Sequence, residues 1–280
     1  MLLLLVAGIW GLNYAAMKFL LAELSPLTIV YARFPPGSAL LFLLLFFVED
    51  VKIQRGDLPR FFLLGATGVS VYQFFFIYGM RFTSATNAAI LLSTAPIFGT
   101  LVSGLARYER LTVRQVAGTA IGFIGVFVTI SRGHLAWTGG SLQGDLLILG
   151  ASVLWALYTV LARPLFARYS PLKVTTYAMA VGSLMLVPFA PFLFNAAELT
   201  LLSLPGWGWL IFATVLAFVV AFYLFYRGVA SMGAPKAMLY LYMVPLFAAF
   251  FAYWLLHEGL SPAQGAGALI VFLAIATVRG

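Results

Sequence analysis

The sequence predicts an all-α polytopic membrane protein, with ten transmembrane helices arranged as two inverted five-helix repeats. Three observations support this fold class: the composition, a series of ten apolar runs, and an internal repeat. Of the 280 residues, 63% are hydrophobic and only 9% are charged. A soluble domain carries roughly 25% charged residues, so lipid must be the solvent for most of this chain.

The ten apolar runs are separated by charges and by Pro/Gly clusters, and each has about the 20 residues that a helix needs to cross a bilayer. We place them near 1–22, 26–48, 60–81, 84–106, 112–131, 144–167, 171–194, 207–230, 234–256 and 261–279. The first run lacks the basic start of a signal peptide, so we interpret it as a transmembrane helix. Without period-two alternation, a ten-strand barrel is disfavoured.

The Lys and Arg residues between the runs predict the orientation, because cytoplasmic loops carry an excess of them. With the N-terminus inside, twelve of the sixteen face the cytoplasm, and only Lys18, Arg81 and Arg132 lie outside. Arg33 lies within a run, where we expect it to bind backbone carbonyls or a loop carboxylate. Both termini are therefore predicted to be cytoplasmic, and the expected location is the bacterial inner (plasma) membrane.

The internal repeat covers nearly the whole chain. WGLNY at 10–14 aligns with WALYT at 155–159, and SPL at 25–27 with SPL at 170–172, both at a shift of 145. Further on the shift is 149, so that ERLTVRQVAG at 109–118 aligns with EGLSPAQGAG at 258–267. The repeat predicts two domains, 1–136 and 141–280, of five helices each.

Because five is an odd number, the second half must enter the membrane upside down relative to the first. Inverted repeats of this kind are typical of secondary transporters, which bind substrate near the midplane between the halves. Within the repeated ten-residue motif, Thr112 and Ser261 stand at helix starts, with Gln115 and Gln264 three residues on. This spacing predicts capping boxes, so the motif marks helix ends and is not an active site.

The pattern of a Pro in the fourth helix, followed by Glu-x-Leu-Ser/Thr-x-x-Gln-x-x-Gly at the fifth, occurs twice here. It resembles the EamA domain of the drug/metabolite transporter superfamily, in its ten-helix form, over essentially all residues. The resemblance implies export of amino acids or other metabolites through a cavity lined by helices 1, 3, 4, 6, 8 and 9. The aromatic content looks most like the YddG-type exporters of aromatic amino acids.

Candidate substrate-cavity residues mix large rings with single hydrogen-bonding groups on these helices. Such faces suit a solute with an apolar body and a polar end, although each ring could instead serve only packing, and each amide only inter-helix hydrogen bonding. The candidates are Trp10, Asn13, Tyr14, Tyr72, Gln73, Phe76, Asn87, Leu91, Trp155, Tyr158, Tyr223, Lys236 and Tyr240. Lys236 could equally reach water at the cytoplasmic end of its helix.

Two pairs of repeat-related residues are candidate hinges. Pro96 and Pro245 each remove a backbone hydrogen bond within a helix, so a kink is predicted at each. Gly79 and Gly228 occupy equivalent positions in helices 3 and 8. The kinks and glycines could allow the halves to open alternately, or they could only shape static packing.

The chemistry that the sequence lacks also narrows the function. All eight acids lie in loops or at span ends, so transport need not be coupled to protons through a membrane-buried acid. With no cysteine and two distant histidines, we expect no metal, no cofactor and no enzymatic activity. The prediction is a secondary exporter of small amphipathic metabolites, aromatic or other amino acids first, that functions as a monomer. Other solutes on the same fold, a passive channel and a lipid flippase remain alternatives.

Overall fold

Helices make up nearly all of the structure. The computed structural model describes residues 1–82, 91–108, 110–131, 142–256 and 262–279, and within these ranges it contains no β-strand. In chain order the helices are α1 (Leu2–Glu23), α2 (Pro26–Val48), α3 (58–82), α4 (Ala95–Leu105), α5 (Val113–Ser131), α6 (Leu142–Leu161), α7 (Pro171–Leu186), α8 (Leu204–Met232), α9 (234–256) and α10 (Pro262–Arg279). Short turns of helix follow α6 and α7, at Arg163–Ala167, Val187–Phe189, Ala190–Leu193 and Ala196–Thr200.

The helices have the length and composition of membrane spans. Eight helical stretches in the described part of the chain are long and apolar enough to cross a bilayer, and Ala95–Leu105 and Pro262–Thr277 are shorter apolar helices. Many large apolar side chains on the outer faces are exposed, such as Phe47 and Leu201. An apolar exterior needs lipid around it, so the predicted class of all-helical polytopic membrane protein is confirmed.

Three helices begin at a serine followed within two residues by proline. Ser25, Ser170 and Ser203 are the N-caps of α2, α7 and α8, and each hydroxyl accepts a hydrogen bond from the backbone N–H three residues on. Proline in the first turn stabilises such a start because its missing N–H would have no partner there. The repeated SPL triplets are therefore helix starts. The predicted capping box at α5 is also confirmed, since Thr112 N donates to Gln115 Oε1 (2.8 Å) and Gln115 N to Thr112 Oγ1 (3.2 Å).

Two helices contain a π-helical segment. In α3 it covers Ala66–Ser70, and in α8 it covers Phe212–Val220. Adding the repeat shift of 149 to 66–70 gives 215–219, which lies inside the second segment. A π-helix bonds each N–H to the carbonyl five residues back, and such segments are rare and frequent at functional sites.

The two prolines predicted to kink their helices lie just after interruptions. Helical structure breaks at a turn over 93–94, and α4 begins directly after it with Pro96 in its first turn. In α9 the segment Tyr240–Tyr242 is a 3-10 helix, and Pro245 follows three residues later. Pro96 thus lies in a first turn and Pro245 just after a 3-10 segment, and both the kinks and a hinge motion at these prolines stay predictions.

Close helix packing depends on glycine at several crossings. A Cβ on Gly182 of α7 would lie 2.6 Å from the carbonyl oxygen of Gly65 in α3, and a Cβ on Gly267 of α10 would lie 2.6 Å from that of Gly125 in α5. Backbones can approach this closely only when no side chain intervenes. Both crossings join the N-terminal half of the chain to the C-terminal half.

Candidate functional site

A triangle of aromatic rings lies where α1, α6 and α8 meet. The rings of Trp10 and Trp155 are 5.7 Å apart, and Phe222 lies 5.4 Å from Trp10 and 5.6 Å from Trp155. All three contacts are edge-to-face, with interplanar angles of 74–79°. This is a preferred geometry for aromatic pairs, because the positive edge of one ring meets the negative face of the other.

Further rings surround the triangle, and we call the whole set the aromatic cluster. Phe225 contacts both tryptophans, at 5.4 and 5.9 Å, and Tyr72 of α3 lies 5.6 Å from Trp155. Tyr158 lies 5.4 Å from Trp155 and stacks on Tyr226 at 4.9 Å. The cluster consists of Trp10, Tyr72, Phe76, Trp155, Tyr158, Phe222, Phe225 and Tyr226.

Polar contacts fix two of these rings to backbone carbonyls. The indole N–H of Trp10 donates to the carbonyl of Ala217, inside the π-helical segment of α8, at 2.8 Å. The Tyr226 hydroxyl donates to the carbonyl of Tyr158 at 3.0 Å. By contrast, the indole N–H of Trp155 has no acceptor among the described residues. The repeat-related tryptophans therefore differ, one being bonded and one available.

The structure brings five of the predicted cavity residues into this cluster. Trp10, Trp155, Tyr158 and Tyr72 are linked directly, and Phe76 stacks on Tyr72 at 6.0 Å. Tyr158 is fully buried in the cluster, so as the side chain stands here it serves packing.

The other predicted residues are less directly connected. Asn13 lies one turn beyond Trp10, and its amide oxygen is buried without a hydrogen-bond partner among the described residues. Gln73, Leu91 and Tyr223 are half-buried, and Tyr240 is buried in the 3-10 segment of α9. Lys236 is exposed at the start of α9, as expected for a side chain that reaches water. The side chain of Tyr14 and the whole of Asn87 lie outside the described part of the chain.

Sequence reasoning missed the three aromatic residues of α8 at the centre of the cluster, since it selected Tyr223 from this helix. The repeat could have identified two of them, Phe222 and Phe225. Gln73 and Phe76 were singled out in helix 3, and the shift of 149 leads from them to Phe222 and Phe225. Tyr226 is placed by its stacking on Tyr158, and no sequence pattern indicates that contact.

The candidate hinge glycines lie at close contacts between helices. A Cβ on Gly228 would lie 2.5 Å from the Leu3 side chain, and a Cβ on Gly79 would lie 2.7 Å from that of Ile148. Leu3 and Ile148 are themselves related by the shift of 145. Both glycines thus serve packing in this conformation, and their role as hinges stays a prediction.

Arg33 brings a positive charge into the interior beside α8. Its guanidinium donates to the carbonyl of Ala213 at 3.1 Å, lies 3.3 Å from the Met17 sulfur and is 5.8 Å from the Phe34 ring centre. The expected bond to a backbone carbonyl is therefore confirmed. Ala213 and Ala217 are four residues apart in one π-helical segment, so Arg33 and Trp10 hold the same piece of α8.

The carboxylates described by the structure lie at the helix ends, away from the aromatic cluster. Glu23 accepts from Ser203 N at 2.8 Å, and Glu198 accepts from Ser25 N at 2.7 Å. This backbone N–H holds the pKa of Glu198 below its usual value, because it stabilises the charged form. Among the described residues no group of three His, Cys, Asp or Glu side chains could hold a metal ion.

The aromatic cluster can therefore bind by ring stacking and a few neutral hydrogen bonds. The arrangement joins both halves of the chain through rings from α1, α3, α6 and α8. Large rigid rings bury much apolar area with little loss of conformational entropy. The cluster contains no charged side chain, so it offers apolar ring surface and no partner for a highly charged group.

Comparison with known proteins places the chain in a family. The model of the EamA-like transporter family matches it twice, over residues 1–131 and 142–280. An uncharacterized transporter of Archaeoglobus fulgidus is 31% identical over 92% of this chain and 89% of its own length. A probable terminal-alkyne amino-acid exporter of Streptantibioticus cattleyicolor is 36% identical over 48% of this chain and 44% of its own length.

A solved structure supports the fold alone. It superposes on 99% of this chain and 94% of its own with a TM-score of 0.83, at 17% sequence identity. Three observations point to a membrane transporter: the apolar helices, the aromatic cluster that joins the two halves of the chain, and the two family matches. The chain belongs to the EamA-like transporter family, whose members move solutes across membranes.

Proposed function

We propose that this protein is a secondary transporter that exports small amphipathic metabolites, most favourably aromatic or other amino acids, by alternating access. Substrate binds at the aromatic cluster, between two inverted five-helix halves. The observation that carries the proposal is the triangle of Trp10, Trp155 and Phe222, which spans both halves. The amino-acid exporter named among the relatives supports the substrate class over its shared half.

Reciprocal contacts support the inverted halves. Glu198 accepts from the backbone N–H of Ser25, and Glu49 accepts from the Ser170 hydroxyl at 2.6 Å. The serines are 145 apart (170 − 25) and the glutamates 149 apart (198 − 49), so each contact is the repeat image of the other. At the crossing of α2 and α7, Ser38 and Ser183, again 145 apart, share a hydrogen bond of 2.7 Å. A residue can bond its own repeat mate when a two-fold axis passes between them.

A second reciprocal pair has the same relation. The Tyr31 hydroxyl donates to the Leu186 carbonyl at 3.0 Å, and Thr176 donates to the Leu41 carbonyl at 3.4 Å. Both members of each contact shift by 145. Such symmetry gives two equivalent half-structures, and alternating access follows when they exchange conformations. We further propose ten spans with both termini cytoplasmic, from the Lys and Arg bias of the loops.

The distribution of acids supports export without obligatory proton coupling. Asp57, the most buried acid described, lies at the beginning of α3 and is paired with Arg168 at 3.1 Å and Tyr169 at 2.8 Å. A carboxylate paired in this way is a poor proton carrier, because its neighbours stabilise the charged form. The substrate's own concentration gradient then drives export.

The test is efflux of labelled phenylalanine and leucine from proteoliposomes that hold the full chain, without a pH gradient. Saturable efflux with exchange of labelled for unlabelled solute is expected, and Trp155→Ala should reduce it strongly. Trp207→Ala, at a partly exposed tryptophan near the start of α8, is the matched control and should leave it unchanged. Flux without saturation or exchange would indicate a channel. No flux above empty liposomes would remove the amino-acid assignment. In a second experiment with an imposed pH gradient, accumulation of the solute against its own gradient would contradict facilitated export.

A further inference from the structure

We propose that Phe222 is a built-in occupant of the substrate site, holding the place that the ring of an aromatic substrate takes against Trp10 and Trp155. The side chain of Phe222 must move aside for binding, and solutes with a planar ring are favoured because they recover the contacts it gives up. This inference rests on the proposed function for the identity of the site, and it adds the residue that a substrate has to displace.

The geometry of the triangle carries the first step. Phe222 meets Trp10 at 5.4 Å and 74°, and Trp155 at 5.6 Å and 79°. Its side chain is a benzyl group, the same group that phenylalanine would bring as a solute. A substrate ring in this position would make the same two edge-to-face contacts. An aliphatic side chain would displace Phe222 without replacing the ring contacts.

Phe222 differs from its neighbours in having room to move. Phe225 and Phe218, on the same helix, are 1% and 0% exposed, whereas Phe222 is half-buried. A side chain with free surface can change rotamer without opening a cavity, whereas fully packed rings cannot. Of these three phenylalanines, Phe222 is therefore the one that a solute can displace at least cost.

The backbone before Phe222 offers a means of moving it. The π-helical segment of α8 ends at Val220, two residues earlier, and Trp10 donates to the Ala217 carbonyl inside it at 2.8 Å. The winding of a π-helix differs from that of an α-helix, so any change in this segment rotates the residues that follow. Trp10 thus contacts the Phe222 ring and is also hydrogen-bonded to the π-helical segment that precedes Phe222.

The repeat explains why the site is amphipathic. Subtracting 149 from Phe222 gives Gln73, so α3 carries an amide where α8 carries a ring. Gln73 is half-buried and its amide has no hydrogen-bond partner in the described part of the chain. Its neighbour Tyr72 lies 5.6 Å from Trp155, which brings this turn of α3 to the triangle. A solute with a ring at one end and polar groups at the other matches a site with the Phe222 position on one side and the Gln73 amide on the other.

The experiment is equilibrium binding of labelled phenylalanine and leucine to the purified full-length protein. Removing an internal competitor raises apparent affinity by the inverse of the fraction of time that the site is free. If Phe222 fills the site about nine-tenths of the time, Phe222→Ala should bind phenylalanine about tenfold more tightly. Leucine must displace the same side chain, so its affinity should rise by about the same factor, and it should stay the weaker ligand because it brings no ring to the two tryptophans.

Two further variants keep the test decisive. Phe222→Leu keeps apolar bulk without a ring, so the same direction is expected even where the alanine variant folds poorly. Phe225→Ala removes a ring that contacts the same tryptophans from a fully buried position, and it should weaken binding of both solutes. Phenylalanine binding that is unchanged or weaker in both Phe222 variants, or a gain for phenylalanine without any gain for leucine, would overturn the proposal.

The outcomes separate this inference from the proposed function. If the wild-type protein exports neither solute but the Phe222 variants gain affinity for phenylalanine, the transport assignment fails and the occupant role stands. If the wild-type protein exports both solutes and no Phe222 variant gains affinity, the occupant role fails and the transport assignment stands.

Discussion

The hydrogen bond between Ser38 and Ser183 provides a quantitative test of how the two halves meet. The hydroxyls are 2.7 Å apart, and the two residues are only 5% and 4% exposed. Hydrogen bonds between membrane helices contribute about 0.6 kcal/mol on average and at most about 1.7 kcal/mol. Ser38→Ala removes this bond and leaves the Ser183 hydroxyl buried without its partner, so we expect a loss of about 1 kcal/mol in the free energy of unfolding.

The double variant is more informative than either single one. Because Ser38 and Ser183 are repeat-related residues in one contact, Ser183→Ala should lower the free energy of unfolding by about as much as Ser38→Ala does. Adding the second alanine removes the orphaned hydroxyl, so the double variant should cost less than the sum of the two. The coupling energy should lie within about 0.5–1.5 kcal/mol.

The measurement is reversible unfolding in mixed detergent micelles, followed by loss of helical circular dichroism. Ser38→Ala combined with Ser152→Ala is the control, because Ser152 is bonded elsewhere, to Thr94 at 2.8 Å, and those two effects should add. A coupling energy between Ser38 and Ser183 below about 0.3 kcal/mol would refute the contact and with it the two-fold arrangement built on it.

Three other predictions test packing, charge and the aromatic cluster. Gly182→Ala should lower the free energy of unfolding by about 1–3 kcal/mol, because its Cβ would lie 2.5 Å from the Val69 Cβ. Gly8→Ala is the control, since its Cβ would meet nothing within 4 Å. The same unfolding assay should show it to be neutral or stabilising by up to about 1 kcal/mol. The pKa of Glu198 is lowered in the folded state. The stabilisation that the Glu198 carboxylate gives to the folded protein is therefore complete above the usual carboxyl pKa and is lost as the pH falls through the lower folded value. Glu198→Gln should flatten the profile of thermal stability against pH in that acidic range, and an unchanged profile would contradict the contact. Trp10→Phe removes the indole bond to α8 and should cost about 1 kcal/mol, with a reduced efflux rate measured in proteoliposomes; full stability and flux would argue against that bond.

Much of the fold could be predicted because the membrane imposes strong constraints on sequence. Apolar runs of about 20 residues identify spans whatever the details of packing. The Thr112–Gln115 spacing predicted a helix start, because a capping box depends on local hydrogen bonding alone. The tryptophans were recognised because the repeat places them at equivalent depths.

The remainder depends on contacts that no local pattern records. The π-helical segment of α8 accepts hydrogen bonds from Trp10 of α1 and Arg33 of α2, and the apolar sequence of α8 does not predict these contacts. Phe222 and Tyr223 are adjacent and both aromatic, and only the rotation of α8 decides which of them faces the tryptophans. That rotation is set by the preceding π-helical segment. Lys236 was ambiguous because a long side chain near a helix start can turn inward or reach water.

The hydrogen bonds that the two halves exchange at the starts of α2 and α7 have a consequence for how this chain assembles. The capping region at Ser25 is completed by Glu198, and that at Ser170 by Glu49, so each half of the chain finishes a helix of the other. Each of these groups takes its protein acceptor from the other half. The Ser25 hydroxyl caps α2 locally, whereas the protein acceptor for the Ser25 N–H exists only after residue 198 has been translated. The first half can thus reach the hydrogen-bonded state seen here only when the second half is present as far as Glu198.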